Sequence, residues 1–299
     1  MGLAVALHDG MLSGERVHGS HYALNDGLGE RWVLMQPPHG QVEVLTLAPA
    51  LASHAPAEPA IRARAERMAD VIAQAVTAVR RVERDAAGMR VVADAVAGIR
   101  LSDVLSQLES GGNILPHAGM LELASAVVRA LAVLHRLSTG LAHGAVTPAH
   151  IVLRPDGTAV LTDSVFGTAL ESLEWNREQL WREFHVALPA AASLPRFDQR
   201  ADVTQLGAVV LAIALRRRLR DDEYPRGAAD LVLAATADRS AHGASALRMW
   251  LQQALQLHSR SMFPSAVEAQ RAFLEIAPAP GPGRAGARAV SALLQPPAC

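Results

Sequence analysis

The chain contains no lysine: all 28 of its basic residues are arginine. Chemistry that needs a compact ammonium charge on a flexible stem is closed to it, because the rigid guanidinium fork requires a different geometry. Cysteine is nearly absent as well. The single one, Cys299, is the last residue, which excludes an internal disulfide and a cysteine-rich zinc site. The twelve histidines lack the two-ligand helical spacing of a zinc motif and read as surface or structural. Net charge is only −1, so no dominant electrostatic partner such as nucleic acid or an anionic membrane is implied. Long apolar runs are missing too. The longest, Leu206 to Leu215, is too short to span a bilayer. The N-terminal MGLAVALHDGML lacks the basic region and long apolar core of a secretory signal. Gly2 is followed by Ala6 where a myristoylation motif wants Ser or Thr. A soluble, cytoplasmic protein is expected, without a transmembrane segment.

What is present organises itself around residues 141–170, LAHGAVTPAHIVLRPDGTAVLTDSVFGTAL. Pro155-Asp156-Gly157 is a turn in which Pro presets φ and Gly accepts a positive one. The flanking runs, Ile151-Val152-Leu153 and Thr158 to Thr162, make a β-hairpin the natural expectation. Within this frame His143-Gly144-Ala145-Val146-Thr147-Pro148-Ala149-His150-Ile151-Val152-Leu153 resembles the catalytic loop of protein kinases, bacterial serine/threonine kinases in particular. Asp163 follows at the place of the D-F-G aspartate, with Ser164 and Val165 for its Phe and Gly.

The resemblance implies a scaffold retained and a chemistry lost. Ala145 stands in the place of the catalytic Asp, Thr147 in that of the loop Lys, and His150 in that of a magnesium-binding Asn. The strand Val42 to Leu47 resembles the one that carries the ATP-binding lysine, and Leu45 occupies that position, where it would fill the phosphate end of the cleft. Leu24 to Met35 resembles the glycine-rich loop, yet only Gly29 of its three glycines is kept, and Asp26 would repel a phosphate. Gly29, Glu66, Asp94 and Asp163 are then vestigial nucleotide-site positions, with Asp163 at most a metal ligand. His143, expected to pack inward, and Asp202 are structural. The latter is expected to cap its helix start and hold the catalytic-loop backbone.

Along the chain, 12–50 is turn-rich with short β-like runs, and Ala48 to Pro59 reads as a loop. Ile61 to Val79 has helical periodicity, with Arg62, Arg64, Glu66, Arg67 and Asp70 on its polar face. Two strand-like runs surround Ala86-Ala87-Gly88. Leu101 to Leu108 and Leu115 to Leu137 are helical, the latter strongly amphipathic. Glu171 to Val186 is polar and occupies the place of an activation segment, without a clear alanine-proline-glutamate ending. Asp202 to Leu211 resembles the buried helix of bacterial kinases. Arg216 to Arg220 reads as the solvated C-terminal end of that helix. Leu247 to Leu257 is a further helix, and Pro264 is placed as the first residue of the last.

The expectation is an α+β, bilobal protein-kinase-like fold, with a small β-rich N-lobe at 1–97 and a larger, mainly helical C-lobe at 98–276. A Pro/Gly/Ala-rich tail at 277–299 is expected to be disordered. The resemblance implies a pseudokinase: not an enzyme, with no cofactor, acting as a scaffold in signalling by binding an unidentified protein partner. The alternatives are a nucleotide or small-ligand sensor, or an atypical kinase using ATP with a metal on Asp163.

Overall fold

The computed structural model describes residues 6–277 apart from 13–14, 25, 37–39, 70–74, 87, 112–114, 138–139, 191–193, 238–240 and 258–261. The N-terminal dodecamer in part, Asp70 and all but the first residue of the 277–299 tail lie outside the described residues.

Six antiparallel strands form the first lobe: β1 (Ala6–Leu12), β2 (Glu15–Ala23), β3 (Gly29–Gln36), β4 (Gly40–Leu47), β5 (Val79–Asp85) and β6 (Gly88–Asp94). Their spatial order is β1-β2-β3-β4-β6-β5. The expected strands at 42–47 and around Ala86 are present; β1 and its hairpin with β2 had no clear counterpart in the turn-rich reading. In β4 the period of two separates Val42 and Val44, which pack with Leu34 and Val92, from Glu43, Leu45 and Leu47 on the opposite face. That second face turns to the other lobe.

Two expectations between β4 and β5 are corrected. The loop at 48–59 contains α1 (Pro49–Ala52) and the first turn of α2 (Ala57–Ala69). The helix expected over 61–79 is described as far as Ala69, but 75–78 is not helical and Val79 already belongs to β5. Apolar spacing in 75–79 reflects pairing instead: Ala75 and Thr77 exchange backbone bonds with Leu161 at 2.8 and 2.9 Å.

The second lobe begins with β7 (Ile99–Arg100), which joins β8 (Ile151–Leu153) and β9 (Ala159–Leu161) in a small sheet. Around it stand α3 (Leu101–Glu109), α4 (His117–Leu137), α5 (Gly167–Glu171), α6 (Arg177–Phe184), α7 (Gln199–Leu215), α8 (Ala228–Ala235), α9 (Ala241–Ala254) and α10 (Ala266–Leu274). Length and composition alone would let α4 cross a membrane, but 67% of that window is buried inside the fold. It is a core helix. Helix α7 is buried all round from Ala201 to Ala214, its polar Asp202, Thr204 and Gln205 included. Its N-cap is Asp198, whose carboxylate accepts from Arg200 and Ala201 N–H at 2.9 Å. The cap is therefore not Asp202, as expected. Likewise α10 begins at Ala266 behind an Ser265 N-cap, so Pro264 precedes the helix rather than opening it.

The lobes are joined by an apolar cluster in which Leu28, Leu45, Leu47 and Ile61 meet Ala145, Val165 and Phe166.

Candidate functional site

The cleft between the lobes is floored by the loop His143–His150, and that loop is suspended from α7. Asp202 is fully buried; its Oδ2 accepts from His143 N–H at 2.5 Å and its Oδ1 from Gly144 N–H at 2.7 Å. One turn on, Gln205 accepts from Val146 N–H at 2.7 Å and donates to Gly144 O at 3.3 Å. His135 of α4 donates from Nε2 to Asp202 at 2.9 Å, while its Nδ1 accepts from Ala266 N–H at 2.9 Å. A single carboxylate thus ties α4, α7, α10 and the loop together. His143 packs inward, donating to Thr162 O at 2.8 Å and accepting from Ala145 N–H at 3.2 Å. Burial pushes its imidazole down to about 4 despite the nearby Asp202 carboxylate. Gly144 is required by packing: a Cβ there would lie 2.4 Å from Gly167 Cα.

Above this floor the cleft is filled by side chains of the protein itself. Arg31 of β3 is fully buried, and its guanidinium donates to Asp26 at 2.8 Å, Glu43 at 2.6 Å and Asp163 at 3.0 Å. Arg100 of β7 reaches the other Glu43 oxygen at 2.6 Å, the Tyr22 hydroxyl at 2.8 Å and Ala149 O at 2.6 Å. Tyr22 donates its hydroxyl to Glu43. Asp26 also takes a bond from Leu28 N–H at 3.0 Å and lies 3.1 Å from His150 Nε2. Asp163 sits in the left-handed region at φ 63 and receives the Thr162 hydroxyl at 2.7 Å. Burial alone would raise its carboxyl, but Arg31, His150 and Arg100 outweigh that and hold it well below the usual range. Asp26 is lowered against its burial by His150 and Arg31. Arg31 stays charged for the converse reason, its three carboxylates overcoming the desolvation of the guanidinium.

Two expectations are corrected here. The acids near the phosphate end are not bare negative charges repelling a nucleotide, since Arg31 is paired with both Asp26 and Asp163. The missing strand lysine does have a positional successor, reached from the neighbouring strand: Arg31 is the cross-strand partner of Leu45. Leu45 itself packs in the apolar cluster beside Ala145 and Phe166. Ala145 is fully buried and offers no base. Thr147 is buried, and its hydroxyl has no hydrogen-bond partner among the described residues. It lines a cavity of about 530 Å³ bounded by Asp103, Trp181, Gln205 and Val209.

Glu66, Asp94 and Gly29, expected from the sequence as nucleotide-site positions, lie apart from this network. Glu66 is exposed on α2, and Arg64 takes the inward place, donating to Ser164 O at 3.2 Å. Burial, with Arg67 nearby, brings the Arg64 guanidinium down to about 10. Asp94 is held by Arg80 at 2.6 Å, partly exposed at the end of β6. Gly29 serves strand approach: at φ +144, a Cβ would stand 2.0 Å from Thr46 O. Among the described residues no group of three or more His, Cys, Asp or Glu is arranged to hold a metal ion. Tyr22, Arg31, Glu43 and Arg100 were not singled out from sequence. One signal was available, a glutamate on the same strand face as the apolar Leu45 and Leu47.

No protein-family model matches the chain, and comparison with curated proteins gives no match. Solved structures do match. The kinase domain of PknI from Mycobacterium tuberculosis superposes with TM-score 0.64 at 22% identity, covering 91% of this chain and 100% of that one. The chain has the fold of a protein kinase domain. A double mutant of the PknI kinase domain gives TM-score 0.63 at 22% identity over 93% of this chain and 100% of that one. The kinase domain of maize SIRK1, bound to AMP-PNP, gives 0.65 at 14% identity, over 87% and 93%. At these identities the likeness speaks for the kinase fold alone. The six-stranded lobe, the helical lobe and the cleft between them are the bilobal α+β arrangement expected from the sequence.

Proposed function

We propose that this chain is a kinase-fold module that does not transfer phosphate and works by binding another protein. The observation that carries the reading is the fate of Asp163. Its carboxylate, the group that would hold a nucleotide's metal in a kinase-like site, is bonded to Arg31 and Thr162. The position of the base is a buried alanine, and the two imidazoles of the loop, His143 and His150, are buried and bonded within the fold rather than turned to a substrate hydroxyl. Nucleotide entry would have to break several buried charge-assisted bonds and find no lysine to replace them. Residues 177–184, in the place of an activation segment, form a helix capped by Asn176 and Gln179 rather than an open strand, which supports a surface for recognition rather than for turnover.

The test is twofold. Incubation with γ-labelled ATP and magnesium should give no label on the chain or on generic protein substrates. Calorimetry should show Mg-ATP binding weaker than about millimolar, that is less than about 4 kcal/mol. Transfer abolished by Asp163→Ala would refute the reading. Saturable micromolar binding lost in Asp163→Asn would make the chain a nucleotide sensor instead.

A further inference from the structure

We infer that the cavity beside the 143–150 loop is a binding site for a small organic amine, with Asp103 taking the protonated nitrogen and the apolar wall of α7 taking the body of the ligand.

The walls come from stretches far apart in the chain. Residues 146–149 of the loop, helices α3 and α7, Trp181 of α6 and the segment 218–221 enclose the space, and the first lobe contributes Tyr22, Leu24 and Asp26. Its volume of about 530 Å³ falls in the range of ligand-binding clefts, about 300–1,000 Å³. Val146, Val209 and Ala212 line it with apolar, buried surface. Glu109, Arg218 and Arg220 are lining residues that stand exposed, so the cavity is reached from solvent past them.

The polar groups of the walls decide the kind of ligand, because most of their protons are already committed. Trp181 gives its indole N–H to Asp221 O at 3.2 Å, Ser106 gives its hydroxyl to Ser102 O at 2.8 Å, and Tyr22 gives its own to Glu43. Gln205 is engaged at both ends by the loop backbone. What remains is lone pairs, at Ser106 Oγ and above all at Asp103. The Asp103 carboxylate is half-buried, its bond from the Ser102 hydroxyl is long at 3.5 Å, and no ion pair among the described residues includes it. Burial pushes its carboxyl up, against the fields of Arg100 and Arg218. A carboxylate drawn partly out of water without a close partner is relieved by a charged donor. Asp26 also lines the cavity but is paired with Arg31, which leaves Asp103 to take the ligand. Thr147 supplies a second polar point. Its hydroxyl is buried and without a partner among the described residues, a rare state for a buried side chain, and it can accept from an amine N–H. An anion in the same place would meet lone pairs on the inner walls and find arginines only at the exposed rim. The site goes beyond the proposed function and rests neither on the absence of phosphate transfer nor on a protein partner.

The test uses the full chain with ¹⁵N-labelled tryptophan and three ligands of similar body and different head: phenethylamine, phenethyl alcohol and hydrocinnamate. The Trp181 indole signal, identified by its loss in Trp181→Phe, should shift saturably with the amine. That of Trp250, packed against Phe263 and Phe273 outside the cavity, should not move. The alcohol should bind at least about tenfold more weakly, for want of the charge-assisted bond, and the carboxylate should not bind. Asp103→Asn should weaken the amine by about tenfold and leave the alcohol unchanged. Ser106→Phe, which fills the cavity from a half-buried wall position, should abolish both. If a variant fails to fold, the three ligands on the wild-type chain decide alone. Equal shifts with all three, unaltered amine affinity in folded Asp103→Asn, or no saturation below about 10 mM would overturn the site. Phosphate transfer by the wild type would overturn the proposed function and leave the amine result standing.

Discussion

At the scale of single residues the chain turns on two buried charges that do opposite kinds of work. Arg31 is the shared counter-ion of Asp26, Glu43 and Asp163, at 2.6–3.0 Å from each. A buried ion network adds little net stability over apolar packing, but removing one member strands the rest. Arg31→Gln should therefore cost on the order of 3–5 kcal/mol, seen as a lower urea midpoint; an unchanged midpoint would mean the acids find other partners. Asp202 is the acceptor for two loop amides and for His135. Asp202→Ala orphans His143 N–H and Gly144 N–H, at about 1–3 kcal/mol for each buried donor left unpaired. Chemical denaturation measures this directly, and a loss well under 1 kcal/mol would show that water can enter and replace the carboxylate.

At the scale of elements, the cleft's shape depends on how closely backbones approach. Gly29 opens β3 where Thr46 O passes beside it. In a phosphate-binding loop, a glycine's replacement would weaken ligand binding and leave stability nearly intact. Here Gly29→Ala should instead destabilise the first lobe, by on the order of 1–3 kcal/mol for a strained, overpacked backbone position. Thermal unfolding of the variant checks it, and an unaltered transition would return Gly29 to a ligand-binding role. Helix α2 makes the complementary point. It presents Arg64, not Glu66, to the cleft, and Ile61 to the apolar cluster, so the element survives with a different face engaged.

At the scale of the whole molecule, the lobes are held by apolar contacts around Leu45 and by the charged cluster above the loop. This makes the protein sensitive to acid. His143 is held neutral in the folded state, its imidazole lowered to about 4. The unfolded chain binds that proton first, so stability falls as pH drops from about 6.5 towards about 4, by on the order of 3 kcal/mol. Asp26 and Asp163, both lowered, add stability that is present above the ordinary carboxylate range and lost below it. Urea midpoints should decline from about pH 7 to about pH 4; a flat profile would mean that His143 protonates without resistance.

The hairpin at Pro155-Asp156-Gly157, the helices over 101–109 and 117–137, the central helix through Leu211 and strand β4 were all legible in the amino-acid order. Their causes are local: turn chemistry, apolar periods of two and of about 3.6, and runs long enough to bury a core. The absence of lysine and the presence of Ala145 were equally plain, since composition needs no fold to be read. The end of α2 was misjudged because residues 75–77 owe their spacing to pairing with Leu161, far along the chain. The cleft itself was settled only by tertiary contacts. Arg31 and Asp163 are 132 residues apart, and Asp26 and His150 are 124 apart. Ion pairs between such positions leave no period in the sequence. Whether a carboxylate repels a ligand or is already neutralised depends on which guanidinium the folded chain brings within 3 Å of it, and that is decided when the lobes close.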